Sequence, residues 1–121
     1  MEESFGCAAL PFGRQWCDED EVRRRLFCYS EAMIQKTLRA TQVWSIALYI
    51  KSVAEGKQDW LFSGGYWWDV APAKVILEEA GCAVTNGDGG LLVPGESKGI
   101  IAANPVLHTE ILKIFGLNGK K

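Results

Sequence analysis

One carboxylate stands where it could do chemistry. Asp69 follows Trp68 and precedes Val70-Ala71-Pro72-Ala73-Lys74-Val75-Ile76-Leu77-Glu78-Glu79-Ala80-Gly81. Val70, Ala73, Leu77 and Ala80 recur at helical spacing as one apolar face, with Lys74 and Glu78 on the polar side. Asp is a preferred N-cap, because its oxygens accept from the unpaired N–H groups of a helix's first turn. Pro72 then falls in the first turn, where its missing N–H does least harm, and Gly81 stops the helix. Capping is therefore the first use to assign to Asp69. The other residues of chemical type are weaker candidates. Asp18-Glu19-Asp20-Glu21 concentrates four acids, but they precede a helical pattern, and an acidic first turn suits the positive end of a helix dipole. The single histidine, His108, has no Ser or Cys nucleophile pattern beside it and reads as a surface or satisfied residue. Cys7, Cys17, Cys28 and Cys82 lack the paired spacing of a zinc site.

The surroundings of Asp69 add a second reading. Residues 43–104 resemble the C-terminal half of the inositol monophosphatase family, which includes the bisphosphate nucleotidases. The family's second signature runs Trp-Asp-x-Ala-x-Gly-x-x-(Ile/Val)-x-x-Glu-Ala-Gly-Gly. Trp68, Asp69, Ala71, Ile76, Glu79, Ala80 and Gly81 match it, whereas Ala73 and Cys82 stand where glycines are usual. Val53-Ala54-Glu55-Gly56-Lys57-Gln58-Asp59 is similar to the stretch that closes a helix and opens a strand in the family. Gly99-Ile100-Ile101-Ala102-Ala103-Asn104 is similar to its last strand. The resemblance implies hydrolysis of small phosphate monoesters by metal-activated water, with Mg²⁺ as cofactor and Asp69 as a metal ligand. It places substrate contacts near Val43, Trp44 and Ser45, and near Phe62 or Ser63, where the family has a carboxylate.

The same resemblance shows what the chain lacks. The family's first signature, Asp-Pro-(Ile/Leu)-Asp-Gly-Thr, occurs nowhere in these 121 residues. Mg²⁺ demands near-octahedral oxygen coordination, and a two-metal site holds its ions about 4 Å apart. One aspartate cannot supply that. The expectation is a half-domain, a shortened homologue or a gene fragment, inactive alone. The alternative is a non-catalytic α/β binding or association domain derived from the family. An uncovered apolar face around Trp44, Tyr66 and Trp67 is expected to support self-association.

Composition narrows the classes further. The length suits one domain, 1–121, and 48% of the residues are hydrophobic. A net charge of −2 gives no basic face for nucleic acid. Arg23-Arg24-Arg25 reads as a solvated helix face. No apolar run reaches membrane-span length, and no signal-peptide pattern opens the chain. Reduced, buried thiols in a cytoplasmic protein follow as the expectation.

The elements that must position Asp69 alternate in type. Strands are expected at Cys7–Leu10, Thr37–Thr41, Trp60–Phe62, Cys82–Thr85 and Gly99–Ala103, with Leu91–Val93 a short strand or a loop edge. Helices are expected at 19–34 (Val22, Leu26, Tyr29, Met33 inward), Val43–Glu55, after Asp69, and after Asn104-Pro105 (Leu107, Ile111, Ile114, Phe115 inward). Asn86-Gly87-Asp88-Gly89-Gly90 reads as a turn, without the following helix start that would make it a phosphate cradle. Such alternation predicts an α/β fold: a layered, partly parallel sheet with flanking helices, corresponding to the C-terminal half of the inositol monophosphatase-like fold.

Overall fold

A computed structural model describes residues 2–9, 20–37, 39–41, 46–63, 67–95 and 99–117; for 5, 7–9, 20–23, 25–27, 34, 39–41, 46, 47, 49 and 67–70 it describes the backbone alone. The described elements are β1 (Phe5–Ala9), α1 (Asp20–Lys36), β2 (Arg39–Thr41), α2 (Ile46–Ala54), β3 (Trp60–Ser63), α3 (Trp67–Glu79), β4 (Ala83–Thr85), β5 (Ile100–Ala103) and α4 (Pro105–Ile114).

The strands form one mixed sheet in the order β2-β1-β3-β5-β4. β1 runs parallel to both β2 and β3. β5 is antiparallel to both of its neighbours, β3 and β4, so it alone runs against the other four. The partly parallel sheet expected from the alternation of elements is present. Leu91–Val93, the uncertain segment, has no strand conformation.

Handedness explains where the helices lie. The β1-α1-β2 crossover moves one way along the sheet; β2-α2-β3 and β3-α3-β4 move the other way. Right-handed crossovers therefore send α1 to one face and α2 and α3 to the opposite face. The packing agrees. Tyr29 and Met33 of α1 and Ile111 and Leu112 of α4 meet Trp60, Phe62, Ile101 and Ala103. Ile50 and Val53 of α2 and Ala73 and Leu77 of α3 meet Leu61, Ile100 and Ala102. Successive residues of β3 and β5 thus serve opposite helical layers, as the two-residue period of a strand requires. A strand covered on both faces must be apolar along its length. Trp60-Leu61-Phe62 and Ile100-Ile101-Ala102-Ala103 meet that need, and every residue of β3 and β5 is buried.

Three sequence expectations change. α3 begins at Trp67, so Asp69 is its third residue rather than its cap, and Pro72 lies inside the helix. An acid in a helix's first turn is favoured by the dipole just as a capping acid is, so the residue type alone could not separate the two positions. Ala80 is exposed, not part of the inward face, because α3 ends at Glu79 and the chain turns away through Gly81. Its φ of 93° is a conformation glycine adopts without strain. There the Cys82 N–H donates to the Leu77 carbonyl at 2.9 Å and the Gly81 N–H to Glu78 at 3.0 Å, a Schellman pair. Cys28 is exposed on the outer side of α1, while Cys82 is half-buried; both are free thiols. Burial pushes the Cys82 thiol pKa up.

Candidate functional site at the carboxyl edge of the sheet

The topology singles out one edge. β1, β2 and β3 end there at Ala9, Thr41 and Ser63, with Ala9 level with Ser63. β5 starts there, Ile100 pairing with Ser63, and β4 ends nearby, Thr85 pairing with Ile101. The helices that follow the parallel strands begin on the same side, α1 at Asp20, α2 at Ile46 and α3 at Trp67. Connections leave β1 and β2 in opposite directions, which makes this a topological switch point. In open α/β sheets, ligands bind outside the carboxyl ends of the strands at such a point.

The residues singled out by sequence fall as follows. Asp69 lies in the first turn of α3, at this edge; its backbone is described and its side chain is not. Val43, Trp44 and Ser45 lie outside the described residues. Phe62 and Ser63 occupy the end of β3, each 1% exposed. The Phe62 ring faces the α1–α4 layer, edge-on to Tyr29 at 6.2 Å and to Phe115 at 5.4 Å. It is committed to the core, and Ser63 is the remaining side chain of β3 at the edge. Among the described residues, no group of three or more His, Cys, Asp or Glu side chains stands where it could hold a metal ion. The described side chains therefore do not compose a Mg²⁺ site.

The loop after β4 is held closed by a residue that reads in sequence only as part of a turn. Asn86 is buried. Its Oδ1 accepts from the N–H groups of Asp88 at 2.8 Å and Gly90 at 3.0 Å, and its Nδ2 donates to the Leu91 carbonyl at 3.1 Å. The Gly89 N–H donates to the Asn86 carbonyl at 3.0 Å. These donors are consumed inside the turn, which agrees with rejecting a phosphate cradle there. Tyr29 Oη donates to the Gly87 carbonyl at 2.9 Å and ties the loop to α1. The ring of Tyr29 stacks on Phe115 at 3.8 Å between centroids.

His108 is buried on α4, and its Nε2 shares a hydrogen bond of 3.0 Å with Thr85 Oγ1. It is the satisfied histidine that its isolation in sequence suggested. Burial holds its pKa below the ordinary histidine value. A histidine with a depressed folded pKa stabilises the fold above its unfolded pKa, near 6.5. That stability is lost as pH falls from there toward the folded value, because the unfolded chain binds the proton more readily. Urea midpoints are therefore expected to fall between pH 7.5 and pH 5, and to fall less in His108→Gln. An equal fall in both proteins would assign the slope to other groups.

Solved structures with the same arrangement are available for comparison. SuhB, an extragenic suppressor protein from Bartonella henselae, aligns with a TM-score of 0.77 at 19% identity, over 94% of this chain and 42% of its own. Inositol monophosphatase from Anabaena aligns at 0.74 and 25% identity, over 95% and 45%. The inositol monophosphate-bound SaIMPase-II, an inositol monophosphatase of Staphylococcus aureus, aligns at 0.71 and 25%, over 91% and 41%. No curated protein matches the sequence. The chain spans less than half the length of each of the three structures. The profile of the inositol monophosphatase family matches residues 16–118, which takes in α1 through α4 and the carboxyl-edge signature at Trp68-Asp69. On that match and that shared fold, the chain belongs to the inositol monophosphatase family.

Proposed function

We propose that this chain supplies the C-terminal part of a Mg²⁺-dependent phosphomonoesterase site, with Asp69 as its metal ligand, and that it does not turn over substrate by itself. Members of the family are phosphatases, generally metal-dependent. One observation carries the reading: the signature from Trp68 to Gly81 forms α3, and α3 opens at the switch-point edge beside Ser63. A carboxylate in that turn meets a site already biased toward anions by the helix dipole, and Mg²⁺ there would offset the charge of both the acid and a phosphate. Small phosphate monoesters are the substrate class, in line with a relative solved bound to inositol monophosphate. Losing one stabilising group of an active site can cost several kcal/mol of barrier, and the first metal signature is absent from this sequence.

Purified chain is accordingly expected to release no phosphate from inositol monophosphate or 2′-AMP with millimolar Mg²⁺. Turnover that required Mg²⁺ and vanished in Asp69→Asn would sink the inactivity while keeping the ligand role. A thermal measurement separates that role from the helical one. Asp69→Asn removes a charge from the first turn of α3 and is expected to cost about 0.3–1 kcal/mol without metal. Millimolar Mg²⁺ is expected to leave the melting temperature of the isolated chain unchanged. A rise in the native chain that Asp69→Asn abolished would mean that metal binds without the missing signature, since a ligand of the folded state alone stabilises it.

A further inference from the structure

Each polar atom of Asn86 is bonded within its own turn, its backbone N–H to the Gly90 carbonyl, its carbonyl to the Gly89 N–H and its carboxamide to Asp88, Gly90 and Leu91. The turn follows β4, an edge strand of the sheet, and it meets both helical layers. On one side Tyr29 of α1 donates to the Gly87 carbonyl, and Gly89 lies close against Leu112 and Leu117. On the other side Asn86 Nδ2 holds the Leu91 carbonyl, and the next residue, Leu92, packs against the core of the α2–α3 layer. Asn86 thus fastens a clasp at the β4 edge. It also precedes Gly87. Asparagine is a thermolabile residue, most of all before glycine, which has no Cβ to keep its nitrogen away from the side-chain amide.

We infer that Asn86-Gly87 is a deamidation site gated by its own turn, and that the reaction is a one-way release of the clasp. The chemistry needs no partner but water. The Gly87 nitrogen gives up its proton and adds to Asn86 Cγ. Nδ2 takes up a proton and leaves as ammonia. Water then opens the cyclic imide at either carbonyl, leaving aspartate or isoaspartate. In the closed turn Asn86 and Gly87 are both buried, which keeps water from the Gly87 N–H. Three hydrogen bonds hold the carboxamide in one plane, whereas ring closure must make Cγ tetrahedral and free Nδ2. Reaction therefore waits for the turn to open. The product cannot close it again. An ionised aspartate only accepts hydrogen bonds, so at position 86 it would set two acceptors against each other at the Leu91 carbonyl, a costly arrangement in a buried place. Isoaspartate also adds a methylene to the backbone before Gly87. Either product leaves Leu92 and the Tyr29–Gly87 bond without their anchor.

The test follows the reaction in the full chain, kept in mildly alkaline buffer with and without unfolding urea. Peptide mapping by mass spectrometry reads the deamidated fraction at Asn86 and at Asn118-Gly119, the other Asn-Gly pair of the sequence. In urea the two pairs are expected to react at similar rates. Without urea Asn86 is expected to react about a hundredfold or more slowly than in urea, because it reacts only through the small open fraction. Tyr29→Phe removes the bond to Gly87 and keeps the ring. It is expected to raise the native Asn86 rate about fivefold, the equivalent of one hydrogen bond, and to leave the rate in urea unchanged. Asn86→Asp is expected to lower the melting temperature by about 4 °C or more. An Asn86 that reacts as fast in the native chain as in urea overturns the gate. It would mean that the two N–H groups on Oδ1 stabilise the anion formed there instead of holding the amide still. A native rate that Tyr29→Phe leaves unchanged overturns the clasp, since opening would then not involve the bond to α1. An Asn86→Asp chain as stable as the native one overturns the release.

Discussion

Trp60→Ala is expected to cost about 3–5 kcal/mol, the largest loss from any single truncation in this chain. Trp60 is fully buried in the central strand of the sheet. Its ring stacks on Phe62 at 5.7 Å between centroids, and its Nε1 donates to Ser4 Oγ at 3.1 Å. The truncation therefore removes apolar burial, leaves a cavity and takes one hydrogen-bond donor from a buried hydroxyl. Domains of this size are stable by only about 5–15 kcal/mol, so the variant should be near unfolding at room temperature. Urea titrations give the measurement, with the slope checked so that a change in midpoint reports stability. Trp60→Phe should lose distinctly less. A cost of about 1 kcal/mol for Trp60→Ala would mean that the core closes over the cavity and that the two-layer packing around β3 is looser than described.

The strength of this core was partly legible in the sequence. Trp60-Leu61-Phe62 read as a buried strand because three large apolar residues in succession suit a strand covered on both faces. Tyr29, Met33, Leu77 and Ile111 lay on expected inward faces and are buried. The start of α4 was legible because Asn104-Pro105 carries its own geometry. Asn104 Oδ1 accepts from the Leu107 N–H at 3.0 Å, and Pro105 fills the first helical position. What local pattern could not give was the strand order. Nothing in Ile100–Ala103 indicates insertion between β3 and β4 against the direction of both, because register between distant strands is set by the assembled sheet. The start of α3 was misplaced for a related reason: an Asp near a helix start satisfies a cap and a first turn equally.

The family was legible in the sequence, whereas the edge and the atoms were not. The spacing from Trp68 to Gly81 named the helix, and the structure set its start at the switch point, which no local reading supplies. Phe62, one of the positions marked for substrate, belongs to an aromatic cluster whose partner Phe115 is 53 residues away in sequence. That contact exists only once α4 has packed on the sheet. The role of Asn86 was hidden for the opposite reason. Its bonds are local, but Asn beside Gly signals a turn without telling whether its side chain is buried and bonded or free in water.

Gly6→Ala is expected to cost about 3 kcal/mol, the upper end of the usual range for overpacking, although it adds one methyl group. Gly6 lies on β1 directly beside Trp60 on β3, and a Cβ built on it would fall within the indole ring of Trp60. The ring cannot simply withdraw. Phe62 stacks against it, Ser4 holds its Nε1, and the helices α1 and α4 close the layer above it. Backbone conformation is no obstacle here, since Gly6 has ordinary strand geometry, so the whole cost is the overlap of side chain on ring. That makes a specific prediction for the double variant. In the Trp60→Ala background the ring is gone and the methyl has space, so adding Gly6→Ala should cost no more than about 0.5 kcal/mol, and the two losses should fall short of their sum by 2 kcal/mol or more. Urea midpoints of the four proteins measure the coupling. Losses that simply added would show that Gly6 is required for something other than room for Trp60.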